Sequence, residues 1–375
     1  MIRSLSIENY RLLRDLRIQG LTHVNLFVGK NSTGKSSFLE AVSLLANRIQ
    51  SDQLTQDNLE DLLASWQRIL SLRGETGYVN EDGRQTVVYQ LRRTFPEHHL
   101  FDDQGRAKAI LVQMLKGDLF VDSQPLALRV KLFQGDMREN GHSIVSNRVL
   151  FIDTAQDLDT EFIDPYRLNV SLEGDYIAHS LPGNLLARLA SQNVHLLTTY
   201  QSMNRQYVAH MWDRIQLTPR EDDVIRMLQI LEPRIERIAF KTADSGILVK
   251  LTGQEPVPLG SLGNGLNRMF DMALCLVGAA GGYLCVDEIE TGLHYRAMTD
   301  MWRLIFEAAR RLNVQVFATT HSWDCIESFA EALALQEDAE AGALFRLQRA
   351  NEQIKAIRYS ADELQVATRE EIEVR

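Results

Sequence analysis

Apolar and polar residues alternate from Ile2 to Ile7, the two-residue period of a strand with one covered face. After an arginine-bearing stretch, Arg11 to Arg17, the run His23 to Val28 is more continuously apolar and predicts a second, more deeply buried strand. From Ser36 onward Phe38, Val42, Leu45 and Ile49 recur at helical spacing, so residues 29–36 lie between a strand and a helix. The last third alternates regularly: helix from Leu266 to Val277, strand from Tyr283 to Val286, helix from Tyr295 to Leu312, strand from Val314 to Thr319, helix from Trp323 to Ala334. Such alternation predicts a parallel sheet. A hairpin, Leu344 to Arg349 and Gln353 to Tyr359, and a short acidic helix follow.

The middle reads differently. A polar helical start near Gln50 gives way to strand patterns from Thr86 to Phe95, Leu119 to Phe133 and Val149 to Ile152, punctuated by Gly, Asp and Asn clusters. Leu185 to Leu231 then has helix-like periodicity, with Thr218-Pro219 as N-cap and first-turn proline. An antiparallel subdomain and a helical lobe are therefore expected inside an α/β head with a mixed sheet.

Composition narrows the class. Over 375 residues, 45% hydrophobic and 24% charged positions exclude a mostly disordered chain and suit a composite head with a large insertion. The net charge of -10 argues against a globally basic nucleic-acid binder but leaves room for a local basic face. The longest apolar run, Met272 to Val286, is broken by glycines and falls short of the ~20 residues that span a bilayer. With no secretory signal at Met1 to Leu5, a cytoplasmic protein without membrane contact is expected. Cys275, Cys285 and Cys325 sit in apolar context without metal-ligand spacing and read as buried free thiols.

Gly29-Lys30-Asn31-Ser32-Thr33-Gly34-Lys35-Ser36 matches G-x-x-x-x-G-K-[ST] in the strand-to-helix setting the motif requires. Its glycines let backbone N–H groups and the following helix N-terminus face the β- and γ-phosphates of ATP. Lys35 supplies a point charge, the Ser36 hydroxyl is placed to ligand Mg²⁺, and Ser37 is available to a more distal phosphate. Tyr283 to Val286 is an apolar strand ending in Asp287-Glu288. Asp287 suits a magnesium-holding carboxylate and Glu288 the acid that polarises the attacking water. An apolar strand ending in acids is by itself more often a solvated strand end; the phosphate-loop motif reverses that weighting. Gly260 to Arg268 is a glycine-rich turn opening an apolar helix about twenty residues before Asp287. Alone it reads as a capping loop, but it is also what an ATP-bridged dimer needs opposite the γ-phosphate. Thr291-Gly292-Leu293-His294 forms a tight turn into the next helix, and His321 ends the next strand within reach of the γ-phosphate or lytic water.

In this order these residues resemble the ABC-type P-loop ATPase heads of the SMC/RecF/OLD group, especially the stand-alone AAA-like ATPases related to OLD, Septu and Gabija proteins. The opening Ile7-Glu8-Asn9-Tyr10-Arg11 is similar to the I-x-N-[FY]-[RK] start of those heads, and the likeness covers the phosphate loop and nearly all of Gly260 to Ile326. It implies a head formed by residues 1–50 and 237–375, leaving 51–155 as a strand-rich lobe and 156–236 as a helical lobe. It also implies an ATP-dependent homodimer or higher oligomer in which Gly263, Asn264 and Gly265 form the signature turn, Gly292 to His294 the D-loop, and His321 the switch histidine. Gly263 stands where the family has a serine, so Ser261 or Asn264 is expected to substitute for it. Gln156 is the candidate Q-loop glutamine.

OLD nucleases continue into a further catalytic domain. Only about sixteen residues follow Tyr359, which points to a separate nuclease or toxin effector gated by the ATPase in DNA maintenance or anti-phage defence. Arg11, Arg14, Arg17, Arg92 and Arg93 are candidates for DNA phosphates, although arginines on strands and loops are usually solvated. Two other classes compete: a transporter-type ABC subunit coupling to membrane helices, and a phosphotransferase acting on a small acceptor. The I-x-N-Y-R opening and the large lobe disfavour the first; the glycine-rich turn disfavours the second.

Overall fold

The computed structural model describes residues 1–49, 65–66, 68–73, 185–199, 203–241, 246–338, 340–351 and 353–374, and the backbone of seven strands between 76 and 178. The chain opens with β1 (Ile2–Tyr10), β2 (Leu13–Gln19), β3 (Val24–Val28) and α1 (Lys35–Ile49). The seven middle strands are β4 (Thr76–Glu81), β5 (Arg84–Gln90), β6 (Ala109–Lys116), β7 (Leu126–Glu139), β8 (His142–Asp153), β9 (Tyr166–Leu168) and β10 (Tyr176–Ala178). After α2 (Leu185–Ser191) come β11 (Val194–Leu197), α3 (Arg205–Asp213), α4 (Pro219–Gln229), β12 (Ile235–Lys241), β13 (Gly246–Leu251) and β14 (Val257–Pro258). The last third holds α5 (Asn264–Gly278), β15 (Tyr283–Val286), α6 (Tyr295–Leu312), β16 (Gln315–Thr319), α7 (Trp323–Ala334), β17 (Gly342–Ala350), β18 (Gln353–Tyr359) and α8 (Ala361–Arg369).

The central sheet runs β11-β15-β16-β3-β17-β18, parallel except for the last hairpin strand. Its strands alternate between two cores, as the pleat requires. Val316 and Ala318 of β16 point into the core formed with α3 to α8, while Phe317 points into the opposite core with Phe27, Phe38 and Phe345. Phe27 stacks on Phe345 at 5.0 Å between ring centroids and meets Phe38 of α1 at 4.1 Å, fixing α1 against the sheet.

The second six-stranded sheet, β2-β1-β6-β7-β8-β9, is antiparallel throughout. It is pinned to the parallel sheet by buried Gln315, whose Oε1 accepts the Ile2 N–H (2.7 Å) and whose Nε2 donates to the carbonyls of Ile2 and Thr22 (2.8 Å each). β12, β13 and β14 make a small antiparallel sheet ahead of α5.

Three differences from the sequence reading have physical causes. Residues 185–231 do not form helices alone: β11 lies inside the range assigned to a helical lobe, yet pairs in parallel with β15 in the central sheet. Val194, His195, Leu196 and Leu197 are all buried, so only four residues, three of them apolar, mark the strand, too few to set it apart from a helix turn. The strand-rich range is likewise joined to the opening strands, since β6 pairs with β1. Finally, Arg11 is not available to DNA. Its Nε lies 2.8 Å from buried Glu40 of α1, which also receives the Tyr10 hydroxyl (3.2 Å) and Arg73 Nε (2.6 Å). The N-Y-R opening thus clamps α1. Arg17 is exposed and pairs with Asp15, whereas Arg92, Arg93 and Gln156 lie outside the described residues.

Candidate nucleotide site

The ends of β3, β15 and β16 meet at one edge of the parallel sheet, where open α/β sheets place their ligands. After β3 the chain turns through Gly29 (φ 149°), Ser32 (φ 64°) and Gly34 (φ 82°) into α1. Glycine is required at the first and last: a Cβ on Gly29 would overlap the Leu347 carbonyl, and one on Gly34 would press on Leu13 and Ile354. The Thr33 hydroxyl donates to the Lys30 carbonyl at 2.8 Å and tightens the loop. Lys35 Nζ folds back on the carbonyls of Gly29 (2.6 Å) and Lys30 (3.1 Å). Burial lowers the Lys35 pKa, opposed by the charges of Asp287, Glu288 and Glu290. α1 carries no acid in its first turn, so its N-terminal dipole is left for an anion.

Ser36 Oγ donates to Asp287 Oδ2 at 2.7 Å, and the other oxygen, Oδ1, accepts the Thr319 hydroxyl at 2.6 Å. Thr319 Oγ1 in turn accepts the Glu288 N–H at 2.9 Å, helping to hold Glu288 at φ 47° with its carboxylate half-exposed. His321 Nδ1 stands 3.6 Å from Glu288 Oε1 and 3.3 Å from Oε1 of buried Glu290. A loop able to wrap phosphates, a lysine, a hydroxyl–carboxylate pair and an exposed acid beside a histidine are what hydrolysis of a phosphoanhydride needs.

The glycine-rich turn is adjacent but separate. A 3₁₀ turn, Leu259–Leu262, leads to Gly263 at φ 106°, after which Asn264 and Gly265 open α5. Ser261 Oγ donates back to the Pro258 carbonyl at 2.6 Å. Gly265 lies against the Gly292 carbonyl, with no room between them for a Cβ. His294 caps α6, its Nδ1 accepting the Arg296 N–H.

Three residues given no role in the sequence reading join these parts. Thr319 bridges the paired acids, and Glu290 holds His321. Arg268, on the first turns of α5, donates to the carbonyls of Thr198 (2.8 Å) and Asp287 (2.9 Å), so α5 is tied to the ends of β11 and β15. Its signal was a lone arginine between apolar Leu266, Met269 and Phe270 of one amphipathic helix.

An AAA ATPase domain model matches residues 1–108, and an AAA domain model, whose description continues with AbiEii toxin and Type IV TA system, matches residues 145–324. An ATP/GTP phosphatase of Helicobacter pylori is 21% identical, with 97% of each chain covered. An uncharacterized protein of Methanocaldococcus jannaschii is 21% identical over 64% of this chain and 90% of its own. Among solved structures, an Smc head bound to the C-terminal winged-helix domain of ScpA has a TM-score of 0.53 at 11% identity, covering 96% of this chain and 98% of its own. The Smc head derived from Pyrococcus furiosus has a TM-score of 0.52 at 10% identity, covering 99% of both. Among the described residues no helix is long and apolar enough to cross a membrane. The phosphate loop, the paired acids and the AAA matches over residues 1–108 and 145–324 together make it a P-loop ATPase, built on the fold that Smc heads share.

Proposed function

We propose that this ATPase is a dimeric switch in which two copies close over ATP and separate on hydrolysis, gating a separate effector in DNA maintenance or anti-phage defence. The observation that carries the reading is that one chain holds both a complete phosphate-loop edge and a signature-type turn. A Cβ added to that turn's Gly263 would meet no described residue within 4 Å.

In this reading Gly29, Asn31, Ser32, Thr33, Gly34 and Ser37 wrap the phosphates with their backbone or hydroxyls, and Lys35 neutralises the charge that builds up on the γ-phosphoryl group. Ser36 and Asp287, already in contact, would hold Mg²⁺, which supplies charge neutralisation at the β- and γ-phosphates. Glu288 takes the proton of the attacking water and His321 steadies the γ-phosphate. Ser261, Gly263, Asn264 and Gly265 serve the nucleotide of the other copy. Ser261 must first release Pro258, which favours backbone amides and Asn264 for that contact. The pairing of β11 with β15 supports Gln201, four residues beyond Leu197 in sequence, as a Q-loop candidate in place of Gln156.

Support for a protein partner comes from the Smc heads seen with ScpA domains. The test is affinity purification of the Glu288→Gln protein from its source cells in ATP. A stoichiometric nuclease or toxin supports the gated effector, whereas a homodimer alone or with DNA limits the function to a stand-alone ATPase.

A further inference from the structure

Glu290 is buried to 9% side-chain exposure, while His321, which it faces, is 55% exposed. One carboxylate oxygen, Oε1, accepts the His321 backbone N–H at 3.1 Å and lies 3.3 Å from the ring nitrogen Nδ1. The other, Oε2, is buried without a hydrogen-bond partner among the described residues. Taking a carboxylate out of water with half its acceptor capacity unused is costly, and a neutral side chain would fill this place at less expense to folding. The arrangement therefore needs a reason beyond stability.

The turn that carries Glu290 supplies one. The Leu293 N–H donates to the Glu290 carbonyl at 3.0 Å, closing the turn, and the Gly292 carbonyl then sits directly on Gly265 at the start of α5. A line of contacts runs from Gly265 through Gly292 and Glu290 to His321. Displacement of a reacting group by about 1 Å can cost a hundredfold in rate, so a buried acid that holds both the main chain and the ring of His321 bears on the chemistry.

We propose that Glu290 is a positioning residue: it fixes the main chain and ring of His321, and it makes the histidine's placement depend on the contact between the 290–293 turn and α5. It acts through His321 and not on the nucleotide. The proposal rests on the assignment of His321 to the γ-phosphate made above.

The test is a double-mutant cycle on steady-state ATP hydrolysis, with binding of a fluorescent ATP analogue measured in parallel and ¹⁵N shifts of the His321 ring recorded for each folded variant. Glu290→Ala should lower kcat about tenfold with analogue affinity kept within about twofold, and should add less than about twofold in a His321→Ala background. The ring shifts should change in Glu290→Ala. An equal loss of kcat in both backgrounds, or unchanged ring shifts, overturns the proposal. If Glu290→Ala does not fold, Glu290→Gln takes its place in the cycle: it keeps an acceptor for the backbone N–H, and the same dependence on His321 is expected with a smaller loss. Failure of the underlying site reading looks different, because His321→Ala alone would then leave kcat unchanged.

Discussion

The phosphate loop and the glycine-rich turn are made of similar material, glycines leading into the N-terminus of an apolar helix, but their surroundings are opposite. At Gly29 and Gly34 any added Cβ meets backbone or packed side chains from β17, β2 and β18; at Gly263 it meets no described residue within 4 Å. The first turn is preorganised by its own chain, through the Ser36–Asp287–Thr319 bonds behind it. The second is shaped, by a φ of 106° and a 3₁₀ turn, yet no described residue lies where a Cβ on Gly263 would point. In the proposed function this open turn serves the nucleotide of a second copy. The nucleotide should bind through one region and turn over only through both.

The largest effect expected falls on the preorganised side. Lys35→Ala should weaken ATP affinity by about a hundredfold or more and remove hydrolysis, since the charge facing the phosphates is lost. Among the described residues its ammonium group bonds to loop carbonyls, so thermal unfolding should scarcely move; calorimetric titration and a melt check both. A Lys35→Ala protein that binds ATP normally would place the nucleotide elsewhere.

Glu288→Gln divides binding from chemistry. The amide keeps the shape and cannot take the proton, so kcat should fall by about 10² to 10⁴ with affinity retained. The ATP-bound homodimer should then accumulate in light scattering; a strict monomer under ATP would break the comparison between the two turns.

Gly265→Ala sharpens it from the other side. The added methyl must displace the Gly292 carbonyl, far from Lys35 in sequence. We expect ATP affinity of the single chain to stay within about twofold and kcat to fall about tenfold, a loss appearing only at protein concentrations where copies pair. Equal loss of affinity would show that the α5 turn serves the nucleotide of its own chain.

Much of this was legible because the chemistry is local. The phosphate loop and the paired acids each declare themselves within a few residues and the strand–helix alternation within the one continuous stretch from Leu266 to Ala334, and the parallel sheet follows from them. What the sequence alone does not show depends on contacts across tens of positions. β11 has no alternation because both faces are covered, and it shows its role only by pairing with β15. Arg11 reads as surface in a polar stretch until Glu40 and Arg73 arrive beside it. Glu290 sits two residues after the acid that drew attention, and only the fold brings His321 to it. A spaced acid after a paired acid, in a turn leading to a helix, is the signal that could have found it.

The smallest expected effect concerns Asp271, on α5 between the two regions. Burial raises its pKa to about 6 from the ordinary 3.8, against the lowering influence of Arg268 and of a bond to the Met203 backbone. Between those two values the folded chain holds a proton that the unfolded chain has released, so stability falls as pH rises through this window and stays reduced above it. Asp271→Asn keeps the shape and removes the cost of ionisation. It should therefore raise stability at pH 8 by on the order of 1–2 kcal/mol, discounted because Arg268 loses a nearby charge while keeping its two carbonyl partners. At pH 4 the advantage should shrink toward zero, because the native carboxyl is already neutral there. Urea unfolding at the two pH values decides the matter. A variant less stable at pH 8 would mean that the Arg268–Asp271 attraction outweighs desolvation, and that α5 is held to the sheet by charge as well as by the carbonyls of Thr198 and Asp287.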